Sequence, residues 1–143
     1  LLQEYNIEPT VEKEESLRAV PQSKTELLKE GYRLKQDMNS LKLLLDREWK
    51  TKQILELLKD SEEGLELFPA QPYLYLMNAR ALNNLRKHQE ALERLEEGID
   101  FIIEDNLLLA DFYAEMSLGH KGLGDNKTAT KYDEMARQLI NKS

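Results

Sequence analysis

The chain contains no cysteine in 143 residues. This absence excludes disulfide bonds, thiolate catalysis and cysteine-ligated metals, while leaving the cellular compartment open. Aromatic residues make up only 7%, and there are only six glycines and four prolines. Together with 33% charged and 41% hydrophobic residues, this composition is typical of a soluble helical domain with a core of its own.

Positive charge and long apolar runs are also in short supply. The formal net charge of −7 argues against nucleic-acid binding, which needs clustered Lys and Arg, and weakly against anionic membranes. The nearest approach to an apolar run, "NLLLADF", is far shorter than the ~20 residues of a membrane span, so we expect no membrane insertion. The chain starts at Leu1 rather than Met, which indicates a fragment or a mature form and leaves the localisation unknown.

Residues that could carry catalysis are equally scarce. The two histidines, His88 and His120, have no metal-ligand spacing around them, and we expect a turn residue and a packed inter-helix residue. "GHKGLGD" lacks the lysine placement of a phosphate-binding loop, and acid pairs such as "SEEG" have the phase of solvated helix faces. The sequence therefore predicts no enzyme, no catalytic residue, no cofactor and no metal site.

What the sequence does have is a repeat. "EEGLELFP" and "EEGIDFII" place Gly64 and Gly98 34 residues apart, and Gly31 of "KEGYRL" lies 33 residues before Gly64. A glycine inside a helix costs roughly 1 kcal/mol relative to alanine. Three of them at one register predict positions where another helix approaches too closely for a side chain. Alanine at Gly64 or Gly98 is expected to be neutral or mildly stabilising only if there is room for it.

Apolar residues recur at helical spacing from Ser23 onward, and nothing alternates like a strand. Ser23 and Glu26 form a capping-box start for the first helix. Because the links are short, each helix must fold back antiparallel on the one before it, and the resulting hairpins must stack to bury their apolar faces. The predicted helices cover approximately 23–34, 39–50, 52–68, 73–85, 89–103, 107–121 and 127–140.

The repeat resembles the tetratricopeptide repeat (TPR), a 34-residue helix–turn–helix motif. The clearest copy is "PYLYLMNARALNNLRKHQEALERLEEGIDFII", and a second is "DFYAEMSLGHKGLGDNKTATKYDEMARQL". The motif positions of the first are Tyr75, Ala79, Leu82, Ala91 and Gly98; those of the second are Tyr113, Met116, Ser117, Gly124, Ala129 and Ala136. The stretch that ends in "EEGLELFP" supplies Leu41, Leu44, Leu45, Gly64 and Pro69.

The chain departs from the TPR pattern at several places. Polar residues replace apolar or aromatic ones at Glu48, Asn78 and His120, and Arg86 stands where the turn glycine is usual. The spacing from Gly98 to Ala136 is 38, which predicts about four extra residues in a longer second helix. Residues 1–22 fit no repeat. The predicted domain covers 23–143, with a lone helix at 23–36 and hairpins at about 38–69, 72–104 and 107–141.

The resemblance implies an all-α, right-handed α-solenoid that acts as a non-catalytic protein–protein interaction module. In TPR proteins the first helix of each hairpin lines a concave groove that binds a peptide or protein segment. Carried over by position, the partner-binding residues are Lys42, Trp49, Tyr73, Met77, Arg80, Asn83, Asn84 and Leu118.

Other interpretations of these residues remain open. Arg80, Asn83 and Asn84 also fit a solvated face, and Trp49 also fits packing against a neighbouring hairpin. Asp46, Asp111 and Glu115 argue against the clamp by which some TPR domains hold acidic C-termini. The chain could equally be a structural or self-associating segment of a larger TPR protein, or an accessory to an enzyme or transport machine. The sequence does not determine the oligomeric state.

Overall fold

The computed structural model describes residues 23–142, so the predicted non-repeat segment 1–22 lies outside the described residues. Within 23–142 the chain forms seven α-helices and no strand, which confirms the all-α prediction. In chain order they are α1 (Lys24–Lys35), α2 (Met38–Lys50), α3 (Ile54–Leu67), α4 (Pro72–Asn84), α5 (His88–Ile99), α6 (Asn106–Gly122) and α7 (Asn126–Lys142).

Side-chain caps explain where several helices begin. The Ser23 hydroxyl accepts a hydrogen bond from the Glu26 backbone N–H at 3.1 Å, in agreement with the predicted capping box. Asp37 accepts from the Ser40 N–H, and Asp105 accepts from the Leu108 N–H. Helix α4 begins with Pro72. The first N–H groups of a helix have no partner within it, so the missing N–H of proline costs nothing there.

The turns within the three hairpins share one left-handed residue. Lys52, Arg86 and Gly124 each follow the first helix of a hairpin at the same place, with φ of 59°, 63° and 83°. This conformation is free for glycine and strained for other residues. Arg86, which departs from the TPR pattern, therefore adopts the backbone conformation that the usual glycine serves.

Successive helices pack on one another, and the first helices of the hairpins also pack side by side. Thus α2 contacts α4, and α4 contacts α6. The second helices α3, α5 and α7 make no comparable contact with each other in the described part of the chain. The first helices therefore form the tighter, inner layer of the solenoid, and the second helices form the outer one.

The core consists of two apolar clusters on either side of α4. One joins Leu41, Leu45 and Leu57 to Leu74 and Met77. The other lies among α4, α5 and α6 and contains Tyr75, Leu76, Ala79, Leu82, Ala91, Leu92, Leu95, Phe112 and Met116. Every residue of α4 from Leu74 to Ala79 is buried, so the middle of this helix is enclosed by its neighbours.

Two of the three in-phase glycines lie at close helix–helix contacts, as predicted. A Cβ atom at Gly98 would lie 2.4 Å from the Tyr75 Cβ, and one at Gly64 would lie 2.6 Å from a Leu41 methyl group. Alanine was expected to be tolerated only where there is room for its methyl group, and Gly98 has no such room. For Gly31 the expectation of a close contact is wrong, since nothing lies within 4 Å of the place that a Cβ would occupy. A further close contact, at Gly119, was not predicted: a Cβ there would lie 2.8 Å from Leu92.

The extra residues lie near "IIEDNLLLA", as the sequence predicted, but they belong to α6 and not to a longer second helix. Helix α5 ends at Ile99, four residues before the predicted end, and the second helix is not lengthened. Instead, α6 begins one turn earlier relative to its motif than α4 does. The apolar residues after α5 pack without being helical: the Phe101 ring stacks on Tyr75 at 5.7 Å, and Ile102 packs on the core. Ile102 is partly buried and follows Ile99 by three residues, so the sequence pattern looks like a continuing helix.

Candidate functional site

The candidate site is the face formed by the inner helices α2, α4 and α6, called here the groove. Its centre is a small cavity of about 250 Å³ to which all three helices contribute. The residues that line this cavity are Trp49, Arg80, Asn83, Asn84, His88, Glu115 and Leu118. Five of them belong to the set predicted from sequence to bind a partner.

Arg80 links the three hairpins at this cavity. Its guanidinium lies over the Trp49 ring, 5.5 Å from the ring centre, and its Nε is 3.7 Å from a carboxylate oxygen of Glu115. Lys52 covers the same ring, with its Nζ 4.1 Å from the centre. Trp49 is half-buried. Cation–π and ionic contacts of this kind hold the arginine in one orientation without removing it from solvent.

Glu115 is held from a second side by Asn83. The Asn83 amide donates to the Glu115 carboxylate at 2.9 Å and to the Glu115 carbonyl at 3.1 Å. The Asn83 carbonyl oxygen lies 2.9 Å from Nδ1 of His88. Burial raises the pKa of Glu115, while the Asn83 hydrogen bond and the Arg80 charge oppose that rise. The floor of the cavity is therefore a connected polar network with fixed geometry.

The other end of the groove carries Lys42 and Tyr73. The Lys42 ammonium lies 5.1 Å from the centre of the Tyr73 ring. Both residues line a cavity of about 440 Å³ that extends to the link after α5. Between the two ends lies Asp46. Burial raises its pKa, and the positive charges of Lys42, Lys50 and Arg80 oppose part of that rise.

Two of the predicted groove residues need correction. Met77 is fully buried in the core between α2 and α4, and Asn83 is buried in the network beneath the cavity. The interpretation that they lie on a free face fails because α2 packs on Met77 and α6 contacts Asn83 through Glu115. Asn84 and Leu118 are exposed, and Tyr73, Trp49 and Arg80 are partly exposed, as is required for contact with a partner.

Both histidines make contacts within the fold. The His120 ring stacks on Tyr132 of α7 at 5.5 Å, as expected for a packed inter-helix residue. His88 is the first residue of α5 rather than a turn residue, and its ring blocks the space beside Gly122. Both rings serve packing and hydrogen bonding within the fold.

A second polar site, absent from the sequence predictions, lies between α2 and α3. Carboxylate oxygens of Glu48, Glu56 and Asp60, called here the carboxylate cluster, all lie within 4.8 Å of one another. Glu48 is completely buried, and both of its carboxylate oxygens lack a hydrogen-bond donor. Burial, followed by the neighbouring Asp60, raises the pKa of Glu48 to about 9.

Lys29 of α1 stands at the outer edge of the carboxylate cluster. Its ammonium donates to Glu56 and lies 3.9 Å from Asp60. The hydrogen bond from Lys29 lowers the pKa of Glu56, and the same bond raises the pKa of Lys29. The only sequence signal for this cluster is Glu48, an acid at a position where the repeat usually has a bulky apolar residue.

The solved structures that share this fold include "MamA MSR-1 C2" and "MamA AMB-1 P212121". Their TM-scores are 0.65 and 0.67, at 15% and 16% sequence identity. The chain is a TPR-like α-solenoid. The matches cover 82% and 83% of this chain, which spans 66% and 69% of the two MamA chains.

At this level of identity the likeness to MamA establishes the fold alone. No protein-family model matches the sequence, and no curated protein matches it. Between residues 23 and 142, none of the helices combines the length and the apolarity that crossing a bilayer requires.

Proposed function

We propose that the protein is a non-catalytic interaction module that binds a peptide or protein segment in the groove. The observation that carries this proposal is the cavity at Trp49, Arg80 and Leu118, where three hairpins each contribute an exposed or partly exposed side chain. Arginine and aromatic side chains at the centre of a partly desolvated pocket are the usual anchors of protein binding. The TPR-like solenoid shared with MamA supports the same proposal, since such solenoids present extended concave surfaces.

The arrangement favours an extended segment with at least one acidic or carbonyl-bearing group near Arg80. The guanidinium stacks on Trp49 and is only partly engaged by Glu115, at 3.7 Å. Its remaining N–H groups can donate to a ligand carboxylate or backbone carbonyl. The exposed Asn84 amide, one turn further along α4, offers both a donor and an acceptor for peptide backbone. Lys42, at the other end of the groove, adds a second positive charge.

The experiment is a capture assay with the whole chain as bait and quantitative mass spectrometry of the bound proteins. We expect Leu118→Ser and Asn84→Ala each to reduce retention of the main partner about tenfold. Both side chains are exposed, so the melting temperature should stay within about 2 °C of the parent, because surface changes usually alter stability by less than ~0.5 kcal/mol.

A matched control is Glu93→Ala, an exposed residue of the outer helix α5. It should leave capture unchanged. If Glu93→Ala reduces capture while both groove variants bind normally, the partner contacts the outer face and the groove proposal is wrong. Self-association of the chain in place of partner capture would favour a structural segment of a larger TPR protein.

A further inference from the structure

The carboxylate cluster combines three acids with one partner cation. Glu48 and Asp60 are buried, at 0% and 8% exposure, and their oxygens Oε1, Oε2 and Oδ2 receive no hydrogen bond. Buried acids of native proteins are normally hydrogen-bonded or paired, because leaving them uncompensated is costly. Lys29 contacts Glu56 and lies near Asp60, but no contact joins it to Glu48. The fully buried Glu48 carboxyl thus lies in the cluster with Asp60 as its polar neighbour and with no cation or hydrogen-bond donor of its own.

We propose that Glu48, Glu56 and Asp60 bind a divalent cation of the oxygen-seeking class, such as Ca²⁺ or Mn²⁺. Three carboxylates supply hard oxygen donors and no sulfur or nitrogen, which suits these ions. Ligands on opposite sides of Ca²⁺, bonded at about 2.4 Å, are about 4.8 Å apart. The cluster oxygens all lie within 4.8 Å of one another, close enough for one ion to contact all three carboxylates.

The surroundings provide both an entrance and further ligands. A cavity of about 600 Å³ lies between α1 and α3, and Lys29 and Asp60 line it. It is large enough for the waters that complete the coordination shell of such an ion. The Lys29 side chain is 46% exposed, so it can turn into solvent when a divalent ion takes its place. The ion and the Lys29 ammonium compete for the same carboxylates, and this competition distinguishes the site from surface binding of ions.

The test is isothermal titration calorimetry of the whole chain, stripped with EDTA and titrated separately with CaCl₂ and MnCl₂. We expect saturable binding of one equivalent of at least one ion. Glu56→Gln, a change at the partly exposed rim, should weaken that affinity at least tenfold without affecting the fold, and so should Glu48→Gln. Lys29→Met should strengthen the affinity several-fold, because it removes the competing ammonium.

The control is Glu66→Gln, which changes an exposed acid of α3 that is neither a cluster member nor a lining residue of the cavity. It should bind like the parent. The proposal is overturned if neither ion binds with one-to-one saturation, or if binding occurs but does not respond to Glu48→Gln and Glu56→Gln. Circular dichroism of each variant establishes that a lost affinity does not come from unfolding.

Discussion

Gly98→Leu is expected to destabilise the protein by about 3 kcal/mol, near the top of the range for overpacked cores. The reason is the rigidity of the obstacle. A Cβ at Gly98 would meet the Tyr75 Cβ and Cγ at 2.4 and 2.5 Å, and these atoms are the stem of the side chain. The Tyr75 ring is fixed further by its stack on Phe101 and by donation from its hydroxyl to the Pro69 carbonyl. Urea unfolding measures the effect, which corresponds to a drop of about 10 °C in melting temperature.

Alanine substitutions at the three in-phase glycines provide the control series. Gly98→Ala should destabilise, whereas Gly31→Ala should stabilise by up to about 1 kcal/mol, because alanine is the better helix former and nothing lies nearby. Gly64→Ala should fall between them, since the obstacle there is the methyl end of Leu41, which can rotate. Equal effects at Gly98 and Gly31 would show that the close contact with Tyr75 does not exist.

Glu48→Leu is expected to stabilise the protein by about 2 kcal/mol when measured in EDTA. The wild-type carboxyl is completely buried without a hydrogen-bond donor, and burying a polar group without a compensating hydrogen bond costs roughly 1–3 kcal/mol, a cost that leucine does not carry. The substitution also removes the contact between Glu48 and Asp60, which lie in the same cluster. Leucine at this place restores the bulky apolar residue of the repeat.

The comparison variant is Glu63→Leu, at an exposed position of α3, which should change stability by less than about 0.5 kcal/mol. A loss of stability in Glu48→Leu would mean that the carboxyl makes a favourable contact within the fold. Under the cation proposal, Glu48→Leu should also abolish any rise in melting temperature on adding the ion, because ligand binding stabilises only a state that binds.

The helices could be predicted from the sequence because their stripes, caps and prolines are local signals. Six of the seven predicted helices begin and end within two residues of the observed bounds. The end of α5 was missed because Ile102 is packed on the core at helical spacing from Ile99 although the chain has left the helix there. No glycine or proline marks that end in the sequence.

The candidate site was harder to predict, because exposure depends on the neighbours of a helix. Met77 shares a helix face with Tyr73 and Arg80, yet α2 covers it and leaves the other two partly exposed. The sequence "PYLYLMNARALNN" has apolar residues on almost every face of α4, which is typical of an enclosed helix. The carboxylate cluster could not be predicted for another reason. Glu56 and Asp60, one turn apart on α3, have the spacing of an ordinary solvated face, and only the fold brings Glu48 of α2 beside them.

The enclosure of α4 also implies an order in which parts of the molecule open. Helix α4 contacts α2, α3, α5 and α6, so its backbone amides can reach solvent only when most of the domain unfolds. Helix α1 packs mainly on α2, contacts α3 through Lys29, and buries only Thr25, so it can detach at far lower free energy. Amide hydrogen exchange should therefore be slowest in α4 and fastest in α1, although both helices belong to the same solenoid.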